Sequence, residues 1–164
     1  MLKPHFTQFA AYNRWANRRL YDVAAGLPDD ARKRDVGVFF RSLHGTLNHL
    51  LVADRVWLRR LTGEGPEPAR LNEILYDGFD DLRAAREAED ARVIRFIDGL
   101  DEADLAAAFE YRTLGGRAFS QRRCDVLSHL FNHQTHHRGQ AHAALTILGV
   151  AEPDPLDLLA MQRS

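Results

Sequence analysis

The sequence predicts an all-α protein, an up-down four-helix bundle with a short β-hairpin before the last long helix. Three observations predict it. Apolar residues recur at helical spacing through four long stretches. Clusters of helix-stopping residues separate them: Gly26 and Pro28, then Gly63, Gly65, Pro66 and Pro68, then Gly149, Pro153 and Pro155. Only the segment around Gly115-Gly116 alternates apolar and polar residues at strand period.

The first helix is expected over residues 4–25, where Phe6, Phe9, Ala10, Trp15, Ala16, Leu20 and Val23 keep a helical period. The second runs over 39–61. The third covers 71–100 and is dense in charge, with the i,i+4 pair Arg83–Glu87 on its surface. Gly99 lies near its end, and Asp101-Glu102 can start a short extra turn. Phe109 to Thr113 and Arg117 to Ser120 flank the Gly-Gly pair and read as the hairpin. The fourth helix covers 124–148, and the tail segment Leu156-Asp157-Leu158-Leu159 packs back as one turn. The connections are near ten residues and no internal repeat or linker stands out, so residues 1–164 form a single domain.

The chemistry sits in Asn132-His133-Gln134-Thr135-His136-His137-Arg138-Gly139-Gln140. His133 and His137 are four apart, which stacks two imidazoles on one helical face. On a wheel at roughly 100° per residue they fall inside the apolar stripe of Val126, Leu130, Ala141, Ala144 and Leu148. Two core-facing histidines one turn apart need partners, and a divalent metal suits both at once. On the second helix, Arg41, His44, Asn48, Arg55 and Arg59 make a polar stripe, which places His44 on the surface. His49 lies about 110° from that stripe, beside Ala53 and Val56, where it can face a neighbouring helix. Metal sites in bundles assemble from facing helices in this way, and three imidazoles leave coordination positions open. The competing reading is that these histidines are core hydrogen-bonders with no ligand.

These residues carry a resemblance to the DinB-like superfamily of metal-binding four-helix bundles, which includes thiol-dependent transferases. The similarity spans nearly the whole chain. It rests on Tyr12-Asn13-Arg14-Trp15-Ala16-Asn17, on Leu47-Asn48-His49-Leu50-Leu51 followed by Trp57-Leu58, and above all on His129-Leu130-Phe131 running into the His133–His137 block. The resemblance implies one divalent metal, nickel or zinc, on His49, His133 and His137. It also implies a homodimer and raises a low-molecular-weight thiol as co-substrate. No ligand position is lost.

Other candidates are secondary. Gln140 shares the face of His133 and can orient a ligand, although a packing amide is the simpler reading. Asp54 falls among Leu50, Trp57, Leu58 and Leu61, so its carboxylate needs a partner; an arginine is preferred over a ligand histidine. His129 and His136 read as packing or supporting residues, and His5 and His142 as exposed. Trp15 and Trp57 read as core aromatics. Cys124 opens the fourth helix, where the dipole favours a thiolate, but no base stands beside it.

Composition narrows the partners. A formal charge of −1 provides no basic field for nucleic acid. No apolar run approaches membrane-spanning length and no leader pattern opens the chain. With a single cysteine there is no intrachain disulfide, and the expected compartment is the cytoplasm. The expected function is a metal-dependent enzyme acting on a small molecule, a thiol transferase or a hydrolase. The alternative is a non-catalytic metal- and ligand-binding protein or dimeric scaffold. The residues name no substrate and no general base.

Overall fold

The computed structural model describes residues 1–163. Four long helices dominate: α1 (Lys3–Ala25), α3 (Leu43–Thr62), α4 (Phe79–Gly99) and α6 (Arg123–Ile147). Short helices α2 (Asp29–Lys33), α5 (Glu102–Ala106) and α7 (Leu158–Gln162) fill the connections, and β1 (Ala108–Arg112) pairs antiparallel with β2 (Ala118–Arg122). The all-α bundle with its hairpin is therefore the observed class. Among the described residues no helix is long and apolar enough to cross a membrane.

Helix α1 packs on α4 and α6, and α3 packs on the same two. The consecutive long helices α1 and α3 thus lie across the bundle from each other, as do α4 and α6. This arrangement makes α3 and α6 direct neighbours, so residues far apart in sequence can share a site.

Two helix starts differ from the sequence expectation. The second long helix begins at Leu43 rather than residue 39. Arg41 takes a left-handed backbone (φ 69°), which interrupts any helix there, and the Ser42 side chain caps α3 by accepting from the Gly45 N–H at 2.9 Å. The third begins at Phe79 rather than residue 71. Asn48 captures the intervening segment: its Oδ1 accepts from the Leu75 and Tyr76 N–H groups at 2.9 and 3.1 Å. His44 joins it, its Nε2 lying 2.9 Å from the Tyr76 carbonyl. Residues 71–78 therefore cover the polar stripe of α3. His44 is buried there, not on the surface. Helix α2 has no counterpart in the sequence reading. Gly99, the Asp101–Asp104 capping box of α5 and the hairpin fall where the pattern places them.

The core has two apolar halves. One gathers Leu20, Leu43, Leu47, Leu50, Phe79, Leu82 and Leu145; the other gathers Phe6, Leu58, Val93, Ile97, Leu105, Leu127 and Phe131. Between them all four long helices contribute one buried polar layer. Arg86 pairs with Asp54 at 2.6 Å and with Asp90 at 3.0 Å. Asn17 donates to Asp90 at 2.9 Å, Gln134 donates to Asp54 at 2.6 Å, and Arg138 donates to Asn13 and Asn17. Trp15 and Trp57 stay half-buried at the bundle surface, each under an arginine, Arg19 and Arg60 respectively. Trp57 packs against the edge of the apolar half that contains Phe6, whereas Trp15 joins neither half.

Candidate metal centre

His49 on α3 and His133 and His137 on α6 come together on the flank of the bundle where these helices pack. One ring nitrogen from each lies within 4.8 Å of the others, and the Nε2 atoms of His49 and His133 are 3.4 Å apart. The i,i+4 spacing puts the two α6 imidazoles in edge contact, with ring centroids 4.4 Å apart. His49 stands 4.4 Å from His137 and 5.1 Å from His133 by the same measure.

Two of the three rings are oriented from behind. His49 Nδ1 lies 2.7 Å from the Leu71 carbonyl oxygen, which can only accept, so Nδ1 carries the proton and Nε2 keeps its lone pair. His137 Nδ1 lies 2.8 Å from Gln140 Oε1, and the Gln140 amide N–H₂ points to His136 Nε2 at 3.2 Å. That pairing again protonates Nδ1 and frees Nε2. His133 Nδ1 is buried with no protein partner.

Burial holds the rings neutral. It lowers the pKa of His49 to about 4, against a partly offsetting bond to the Leu71 carbonyl. It lowers His133 to about 3, helped by the neighbouring histidines, and it lowers His137 as well, opposed by Gln140. Neutral imidazoles with converging lone pairs are the donor set a divalent cation requires. Outward-facing Nδ1–H groups held by a carbonyl and an amide oxygen are the support such ligands usually have. These residues fit a metal ion.

The other sequence candidates lie as follows. Gln140 bonds His137 and does not serve as a packing amide between helices. Asp54 belongs to the polar layer with Arg86 and Gln134. His129 and His136 are exposed, His129 at the rim between Trp57 and His133. His142 is half-buried, with Nε2 3.1 Å from the Asp154 carbonyl. Cys124 is buried in the apolar half that contains Leu127. Two contributors to the site escape the sequence reading. The Leu71 carbonyl is main chain and leaves no signal in residue type. Phe40, stacked on His49 with centroids 3.7 Å apart, lies in a stretch that reads as helix. A cavity of about 550 Å³ lies elsewhere, between α1, α6 and the segment 153–158, and the three histidines do not line it.

The fold and site define a helical bundle with three neutral imidazoles gathered between α3 and α6, a group that could hold a metal ion. The model of the DinB family matches residues 1–164, and the chain belongs to that family. It is similar to Protein DinB of Bacillus subtilis (strain 168), with 25% identity over 147 residues, covering 85% of this chain and 84% of that protein.

Proposed function

We propose that this protein binds one divalent metal ion through His49, His133 and His137 and uses it as an enzyme on a small-molecule substrate. The observation that carries the reading is the pair of fixed tautomers. The Leu71 carbonyl and Gln140 hold the Nδ1 protons of His49 and His137, so both Nε2 lone pairs are committed to the space beside His133.

Among the described residues the group has three members, one fewer than closed structural zinc sites carry. When bound, the ion supplies Lewis acidity, polarising a carbonyl or lowering the pKa of a water or thiol. The protein's own part is to hold the donors neutral and to bury His49 and His137 while His133 stays half-exposed. The reaction class we infer is thiol transfer or hydrolysis, with nickel or zinc as the ion and a low-molecular-weight thiol as co-substrate in the first case. A cytoplasmic homodimer completes the proposal.

The test is elemental analysis of tag-free protein beside His49→Ala and His137→Ala. About one equivalent of metal in the wild type, lost in both variants while helical circular dichroism persists, supports the reading. No uptake by the wild type after incubation with zinc and nickel overturns it. Sedimentation velocity tests the dimer.

A further inference from the structure

The turn that leads into α3 approaches the three histidines in a way that bundle packing does not require. Within residues 36–41 the chain closes on itself. The Val36 N–H donates to the Arg41 carbonyl and the Arg41 N–H to the Val38 carbonyl, both at 2.7 Å. Arg41 is the one non-glycine with positive φ among the described residues. Such a backbone persists only where its surroundings over-determine it, and it concentrates at functional positions. Here the two main-chain bonds and the Asp35–Arg41 ion pair at 2.9 Å hold it in place.

The result is the placement of Phe40. Its ring lies flat on His49 (centroids 3.7 Å apart, planes 17° apart) and edge-on to His137 at 5.4 Å. Phe39, 78% exposed, stands edge-on to Phe40 at 4.9 Å and extends the cover outward. Gly45 makes the approach possible: a Cβ at that position would lie 2.3 Å from the Phe40 carbonyl oxygen. Phe40 belongs to neither apolar half of the core.

We propose that Phe40 is a positioning residue of the three-histidine site, fixing the plane of the His49 ring and shielding one side of the site. The inference rests on the metal-binding reading above. The Leu71 carbonyl alone pins His49 at one atom, about which the ring can still swing. Adding a parallel ring at 3.7 Å removes that motion and keeps Nε2 directed at His133. An ordered donor loses less freedom when it binds. The same ring limits the routes by which chelators and water reach His49 and His137.

The experiment uses full-length, tag-free protein with Zn²⁺ and Ni²⁺ as probes. Affinity is read by chelator competition and release rate by transfer into excess EDTA. Phe40→Ala binds about 3- to 10-fold more weakly, the range expected for loss of one aromatic pair, and releases the ion faster. Gly45→Ala does the same with Phe40 still present, because the turn is pushed off the helix. Phe40→Tyr restores wild-type values, and Phe39→Ala changes them little. In the metal-free protein, the ring protons of His49 show an upfield ring-current shift that Phe40→Ala abolishes. If Phe40→Ala fails to fold, Phe40→Leu carries the same expectations.

Wild-type affinity and release in Phe40→Ala or Phe40→Leu, with His133→Ala unable to bind, overturns the role of Phe40 and leaves the three-histidine reading standing. A wild type that binds neither ion overturns both.

Discussion

The bundle buries two groups of polar side chains, and they use their hydrogen-bonding capacity in opposite ways. In the layer between the apolar halves, charges and amides answer one another: Asp54 and Asp90 flank Arg86, Gln134 donates to Asp54, and Asn13 and Asn17 accept from Arg138. In the histidine cluster, the Nδ1 atoms of His49 and His137 have partners, His49 Nε2 lies 3.4 Å from His133 Nε2, and His133 Nδ1 has no hydrogen-bond partner. Most of the layer is answered within the chain, with Gln134 Oε1 and the Nε atoms of Arg86 and Arg138 left without a hydrogen-bond partner; the cluster instead leaves converging imidazole nitrogens that could hold a metal ion. A buried polar group is thus a site when its unanswered capacity converges, and a scaffold when it is answered internally.

The sharpest way to break this comparison is to disrupt the layer. Arg86→Leu leaves two buried carboxylates without their cation and should destabilise the fold by about 3–5 kcal/mol, read from urea unfolding. The folded fraction should still take up metal. A loss below about 1 kcal/mol would mean the layer is not held by its charges.

Next in size is the response of the cluster to its ion. At a zinc concentration 100 times Kd, the wild type should gain about 2.7 kcal/mol of unfolding free energy. His133→Ala should gain nothing and, without metal, should unfold close to the wild type. A metal-free His133→Ala protein that unfolds far below the wild type would make the cluster a structural element like the layer.

A third measurement concerns pH. Burial raises the Asp54 carboxyl from 3.8 to about 6, against the pull of Arg86. The folded state therefore holds this proton more tightly than the unfolded chain. The stability that follows is complete below about pH 4 and is lost as pH rises through about 6. Asp54→Asn, which mimics the protonated group, should gain on the wild type by on the order of 2 kcal/mol between pH 4.5 and 7.5. A stability difference that stays flat over that interval would place the ionised pair with Arg86 in control.

The smallest expected effect sharpens the cluster side. Gln140→Ala removes the amide behind His137 and should weaken metal binding about 10-fold while leaving the unfolding midpoint in place. Unchanged affinity would reduce Gln140 to a helix-surface amide.

What could be read from sequence follows from which interactions are local. His133 and His137 are set by the helical period alone, and the burial of His49 follows from its angle to the polar stripe of α3. The stripe's own fate could not be read that way. It looks solvent-facing, yet Asn48 and His44 bind residues 75 and 76, which fold back over it. The same capture hides the true start of α4, because Leu71, Ile74 and Leu75 have helix-compatible spacing while the backbone of Leu71, Leu75 and Tyr76 bonds to His49, Asn48 and His44 of α3. Phe39 and Phe40 likewise extend the helical pattern of α3 backwards until Arg41 breaks it, and nothing in an arginine announces a left-handed backbone. The halves of the core were legible as periodicity. The layer between them was visible only as single oddities, such as Asp54 among leucines, since the partners of Asp54 (Arg86 and Gln134) lie on two other helices.

The placement of α1 opposite α3, and of α4 opposite α6, has a consequence for the order of events during synthesis. His49 and His133 are separated by 84 residues. Their helices become neighbours only when α6 packs beside α3. A nascent chain still holding α6 inside the ribosome has no site at all, whatever the metal content of its surroundings. The three-histidine group can therefore assemble only after α6 has been made and has packed beside α3.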